Sequence, residues 1–269
     1  MMRPPTRAFR LLAFEALHDG VRRRIVPVIV AISVISLLAI DNCTGCASSS
    51  ITVNGEAVDV GAAAGWGGAL MFVVLGLWTM VLAGVLASDH LAQPLADGTA
   101  ALILARPVGR SAYALARLAG SLVISLATGA LLLSATALLL HARAGVPLGP
   151  AVWGLAACAL GALCVGAFAT IASLVLPQIA TTLLVLVAVA WIASVNLLTQ
   201  FGATLEGFHG AVDRFGPPLA SALVLALSPW IESVDVKGAP IAVGLRLVVW
   251  AGIGVALLVV GFRRIELGR

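Results

Sequence analysis

Charge is what this sequence has least of. Asp, Glu, Lys and Arg together make up 10% of its 269 residues, where soluble domains carry roughly a quarter. That leaves too little polar surface to cover a water-exposed fold of this size. A free-standing soluble domain is excluded, and with 61% hydrophobic residues and a mean hydropathy of +1.10 a bilayer must be the main solvent. Lysine is scarcer still. Lys237 is the single one, and Gly238 follows it. A phosphate-binding loop needs a Gly-rich turn ending in Lys-Ser/Thr, so the chain has no nucleotide-binding motif and no cofactor of its own is expected. If ATP and Mg drive this protein, another polypeptide holds them.

Other absences narrow the chemistry further. None of the apolar runs carries Asp, Glu or Lys at mid-depth, which argues against a proton- or ion-driven carrier. His18, His90, His141 and His209 are scattered among separate segments, so no metal site is expected. Cys43 and Cys46 form one C-x-x-C without a second pair; a membrane redox enzyme would need another. They read as a structural disulfide or as inert thiols, at the outer end of the first apolar run. Cys158 and Cys164 read as small packing residues. Asp97-Gly98 begins like the D-G-x-x-A-R start of membrane phosphatidyltransferases, yet Leu102 stands at the Arg position and no aspartate pair follows. That enzyme class is excluded, and the chain is not expected to be an enzyme.

What the sequence has is apolar runs: about 25–40, 66–87, 118–140, 151–176, 179–198 and 243–262. Each is near the roughly 20 residues that span the hydrocarbon core. The expected fold is an all-α polytopic membrane protein of six transmembrane helices, one domain over residues 1–269, with no internal repeat. Six spans put both termini on one side. Twelve of the 16 Lys+Arg fall on that side: Arg3, Arg7, Arg10, Arg22, Arg23, Arg24, Arg106, Arg110, Arg117, Arg263, Arg264 and Arg269. The positive-inside rule then predicts cytoplasmic termini in the inner (cytoplasmic) membrane. No cleavable signal peptide is expected, because the first apolar run follows a long arginine-bearing stretch. The arginines serve orientation; membrane lipid is a partner and nucleic acid is not.

Between the spans, residues 1–24 hold an amphipathic stretch, with Phe9, Leu12, Ala13, Ala16 and Leu17 at helical spacing, predicted to lie in the cytoplasmic interface. The outer loop 41–65 contains Asn54-Gly55 between Ile51-Thr52-Val53 and Glu56-Ala57-Val58, the signature of a small hairpin. Residues 199–242 form a long outer loop in which 219–227 is apolar but too short to cross. It reads as a re-entrant half-helix before span six, ended by Ser228-Pro229-Trp230. Asn196 and Gln200, at the outer end of span five, are predicted to hydrogen-bond between helices. Trp66, Trp153 and Trp230 are expected as interfacial anchors.

One passage departs from the rest: SDHLAQPLADGTAALILARPVGRSAYALARLAG, residues 88–120. It places Asp89, Asp97, Arg106, Arg110 and Arg117 on the predicted cytoplasmic side after span two. LADGTAALILA offers a short helix with Asp97 in its first turn, ended before Pro107.

These residues resemble the permease subunits of the ABC type-2 exporter family. The family shows an acidic residue, Gly-Thr, an apolar run, an Arg/Ser-Pro step and a basic residue opening the next span. Here those are Asp97-Gly98-Thr99, Ala100 to Ala105, Arg106-Pro107 and Arg110. The family's acidic residue usually sits further upstream, which makes Asp89 the other candidate. The resemblance implies a permease that pairs with a second permease copy and binds two separate ATPase subunits. Residues 88–117 would be the cytoplasmic coupling loop and its short helix the coupling helix. ATP hydrolysis in the partner would then drive movement of a substrate or work on an outer partner. The alternative is a non-transporting membrane anchor or scaffold, which needs no such loop.

Overall fold

The computed structural model describes residues 38, 52–53, 56–57, 60–96, 98, 109–231 and 238–264. Five helices in it are long and apolar enough to cross a membrane, so the chain is a multi-pass helical membrane protein. The expected span over 25–40, the interfacial stretch in 1–24 and both Cys43 and Cys46 lie outside the described residues, Leu38 excepted.

Before the first described span, β1 (Thr52–Val53) and β2 (Glu56–Ala57) pair antiparallel. Thr52 lies opposite Ala57 and Val53 opposite Glu56, the register of a hairpin joined by two residues. Then follow α1 (Val60–Ala96), α2 (Arg110–Ala144), α3 (Gly149–Ala172) and α4 (Gln178–Gln200). Two short helices come next, α5 (Gly207–Phe215) and α6 (Leu219–Ala226), then a 3-10 turn at Ser228–Trp230 and α7 (Pro240–Arg264).

Lipid offers backbone groups no partner, so each apolar segment closes its own hydrogen bonds as a helix. The buried hydroxyls do the same locally. Thr79 donates to the Leu75 carbonyl, Ser121 to Leu118 and Thr136 to Leu132, which satisfies them without a partner helix.

Small residues set the packing. Gly154 faces Phe72 and Gly161 faces Met80, so α1 and α3 run parallel, large side chains of one against glycines of the other. Gly68 faces Leu140 and Gly129 faces Thr79, which makes α2 antiparallel to α1. Gly84 packs against Val185 of α4 and Val165 of α3. Such close approach replaces the hydrophobic drive that water would supply. The bundle thus has an upper end, where α1, α3 and α7 begin, and a lower end, where they finish. Helix α1 is the hub: it contacts α2, α3, α4 and α6, and 61% of its apolar window is buried against 22% for α7.

Several boundaries differ from the sequence expectation. Helix α1 continues past Ala87 to Ala96, and α2 begins at Arg110 rather than 118. Apolarity marks where lipid stops, but a helix continues wherever protein covers it. Ser88, Asp89, His90 and Arg117 are all buried. Residues 88–96 and 110–117 of the expected loop are therefore helical. Gly98 has φ 72, a left-handed conformation common just past a helix end. Of the short helix expected over 95–105, Leu95 and Ala96 belong to α1, and 97 and 99–105 lie outside the described residues. The turn after α3 is longer than the expected Pro177-Gln178, because α3 ends at Ala172 and Gln178 already belongs to α4.

The 199–242 segment is largely helical rather than loop. Helix α6, within the expected 219–227 run, is eight residues long, about 12 Å and too short to cross a bilayer. It is enclosed by α3, α4, α7 and α1, with Leu223 against Gly76. Helix α5 was not anticipated. Trp230 is not an interfacial anchor: it is buried, donates Nε1–H to the Pro147 carbonyl at 2.8 Å and meets Phe72 edge-on. A tryptophan so placed seals the α6 segment to the bundle. Trp153 is 71% exposed and Trp66 stacks on Phe201.

Candidate functional site

The described residues concentrate polar side chains in two places, one at each end of the bundle.

At the lower end, the last turns of α1 bring Ser88, Asp89 and His90 into the interior, and the second turn of α2 brings Tyr113 and Arg117. Gln178, the first residue of α4, donates from Nε2 to Asp89 Oδ1. This ties the end of the hub helix to the start of α4. The Arg117 guanidinium carbon lies 5.5 Å from the centre of the Tyr113 ring, within cation–π range. On its other side Tyr113 meets Phe262 of α7 at 6.1 Å. Four helices therefore converge on the ends of the 97–109 loop.

Of the candidate coupling residues, Asp89 is thus turned inward, 7% exposed. Gly98 is exposed, and so is Arg110, the first residue of α2 after Gly109. Asp97, Thr99, Arg106 and Pro107 lie outside the described residues, as do Cys43 and Cys46. Arg110 stands where a helix dipole disfavours a cation, and the first turn of α2 holds no acidic residue.

The upper end holds a cavity of about 720 Å³ lined by Thr199, Gln200, Asp213, Arg214, Ser221 and Arg246, among others. Helix α5 forms its roof, held on two sides. Toward α4, Thr199 Oγ1 donates to Asp213 Oδ1 at 2.9 Å, and His209 stacks on Trp191 with ring centres 5.0 Å apart. Toward α7, Arg246 Nη1 donates to the Arg214 carbonyl at 2.9 Å, and Trp250 Nε1 to the Phe215 carbonyl at 2.8 Å. The last carbonyls of a helix lack intrahelical donors. Here two side chains one turn apart on α7 supply them, one cationic and so matched to the dipole.

Not every polar group at this end is satisfied. Gln200 Oε1, Arg246 Nε and both amide atoms of Asn196 are buried without a hydrogen-bond partner among the described residues. Asn196 is completely buried. The interhelical hydrogen bonds expected of Asn196 do not form among these residues. Sequence reading also missed Asp213, Arg214, Thr199 and Ser221. The signal was present: Phe208, Ala211, Val212 and Phe215 follow helical spacing around the charged pair Asp213-Arg214. Cys158 and Cys164 are buried free thiols inside α3, in keeping with packing roles. Among the described residues no cluster of three or more His, Cys, Asp or Glu could hold a metal ion.

No protein-family model matches the chain, and no curated protein matches it significantly.

Proposed function

We propose that this chain is the transmembrane permease subunit of an ATP-driven exporter of the ABC type. In this reading the lower end is cytoplasmic, two copies pair, and two separate ATPase subunits carrying ATP and Mg dock beneath them. The 97–110 segment, with Asp97, Gly98, Thr99, Arg106, Pro107 and Arg110, is the docking element. The inner membrane is its location.

One observation carries the reading: the segment between α1 and α2 is attached to a helix that contacts four others, α2, α3, α4 and α6. Its first end is α1, anchored to α4 through Asp89 and Gln178. Its second end is α2, whose Tyr113 meets Phe262 of α7 and carries Arg117 over its ring. A displacement imposed on this loop is passed to α1, α2, α4 and α7 together, as rigid-body coupling requires. A scaffold would have no use for this arrangement.

The test is purification of the tagged chain from native membranes in mild detergent. An ABC-type ATPase should co-elute, two copies with two permeases by native mass spectrometry. Asp97→Lys, Arg106→Glu and Arg110→Glu should each weaken its retention or its stimulated ATP hydrolysis. Loss of a partly buried interfacial charge partner costs about 2–5 kcal/mol, whereas rim charges change little. Parent-like retention and hydrolysis in all three would refute the reading.

A further inference from the structure

We propose that the upper-end cavity roofed by α5 is a binding site for a zwitterion, an ammonium joined by a short linker to a phosphate or carboxylate, as in an aminophospholipid headgroup. The site stands independently of any ATPase partner.

The composition of the walls points to this class. Charge is rare in this protein, yet Asp213, Arg214 and Arg246 line one cavity of about 720 Å³. Arg246 is the costliest of the three, because it sits six residues into the membrane-spanning α7. Ionisable side chains so placed face protein interiors or polar cavities and mark ligand paths. Only Nη1 of its guanidinium is hydrogen-bonded among the described residues, to the Arg214 carbonyl; Nε has no partner there. The group faces the charge of Asp213 across the cavity and keeps donor capacity for an anionic oxygen, which a zwitterion can insert between the two charges.

The acceptors complement it. Asp213 receives one hydrogen bond, from Thr199, on Oδ1, which leaves a carboxylate oxygen for a cation. Gln200 is 8% exposed, lines the same cavity and has an Oε1 without a donor among the described residues. A protonated amine carries several N–H donors and can serve both; a quaternary ammonium has none and cannot. A purely anionic ligand would leave Oε1 unsatisfied and would meet Asp213 with like charge.

The surroundings fit a ligand at a membrane boundary. Phe208 and Phe215 of the roof are 71% and 68% exposed. Leu205, Phe215 and Val243 add apolar wall to the polar one. The roof itself is held by a few hydrogen bonds and ring contacts and has no buried residue of its own, so it can part from α4 or α7 to admit a ligand.

The experiment compares the protein in nanodiscs of phosphatidylethanolamine, phosphatidylcholine and phosphatidylglycerol, and titrates O-phosphoethanolamine onto protein in detergent. Thermal unfolding should be highest in phosphatidylethanolamine. A saturable rise with O-phosphoethanolamine supports the site with a soluble source; a rise with the lipid alone supports it with a lipid source. Arg246→Gln and Asp213→Asn should weaken either effect by about tenfold or more, the worth of one charge-assisted hydrogen bond. Because both residues also hold α5, Gln200→Leu is the second variant. It removes an acceptor unsatisfied among the described residues, so the unliganded protein should unfold no earlier than the parent while the ethanolamine effect falls. Equal stability in all three lipids with no response to O-phosphoethanolamine overturns the proposal. So does a response unchanged in all three variants.

Discussion

Gln178 donates a hydrogen bond to Asp89 across the lower end, from the first residue of α4 to a buried carboxylate near the end of α1. Eighty-nine residues of sequence separate the two. A carboxylate taken out of water must be hydrogen-bonded, and this one meets an amide that the chain turn at Pro177 delivers. Asp89→Ala and Gln178→Ala should each lower stability, by about 1–3 kcal/mol. The double variant should lose less than the sum. Thermal unfolding in detergent reads all three; strict additivity would show that the contact contributes nothing.

Gly65 approaches the bundle's own backbone. A Cβ placed there would lie 2.5 Å from the Trp230 carbonyl oxygen. Trp230 cannot retreat freely, since its indole is bound to the Pro147 carbonyl and packed edge-on against Phe72. Gly65→Ala should destabilise by about 1–3 kcal/mol, the usual cost of overpacking. Gly67, two residues on, has open space around its Cβ position and serves as control. There Ala should be neutral or should stabilise by up to about 1 kcal/mol through helix propensity.

Asn196→Leu carries an unusual sign. Replacing an unsatisfied buried amide by an apolar side chain of similar shape relieves a desolvation cost of about 1–3 kcal/mol. Both amide atoms lack partners among the described residues, so the variant should unfold later than the parent. Earlier unfolding would mean that another part of the chain, or a second copy, bonds Asn196.

For Cys43 and Cys46 the expected outcome is a disulfide in protein from an oxidising compartment. Alkylation without reduction, followed by peptide mass spectrometry, should leave both unmodified. Full alkylation of both would show inert thiols instead.

How much of this was legible in the sequence depended on which force set each feature. Apolar runs located five described spans and the 219–227 half-helix, since burial in lipid or protein needs the same residues. The ends of α1 and α2 were not legible. Ser88, Asp89, His90 and Arg117 look solvent-seeking one at a time, and only their tertiary cover explains helical continuation. Trp230 misled for a related reason: an indole at a span end suits an interface, but here its N–H finds Pro147 from 83 residues away. The upper cavity was half legible. Gln200 stood out as a polar residue near a span end, while Asp213 and Arg246 joined it only through the fold of α5 against α7. For the 97–109 loop, charge and family resemblance spoke more clearly than the described residues do.

Helix α1 has 37 residues and so measures about 55 Å, well over the ~30 Å of a hydrocarbon core. Near its midpoint it is clasped at Gly76, which meets Leu223 of α6. From there the lower arm to Ala96 is about 30 Å and the upper arm to Gly65 about 16 Å at 1.5 Å per residue. A rod pivoting at that clasp is an unequal lever. A push of about 2 Å on its lower tip reaches Gly65 reversed and roughly halved, where the Trp230 carbonyl leaves almost no slack. Any motion imposed on the lower tip about that pivot would thus arrive reduced in stroke and increased in force at the segment that joins α6 to α7.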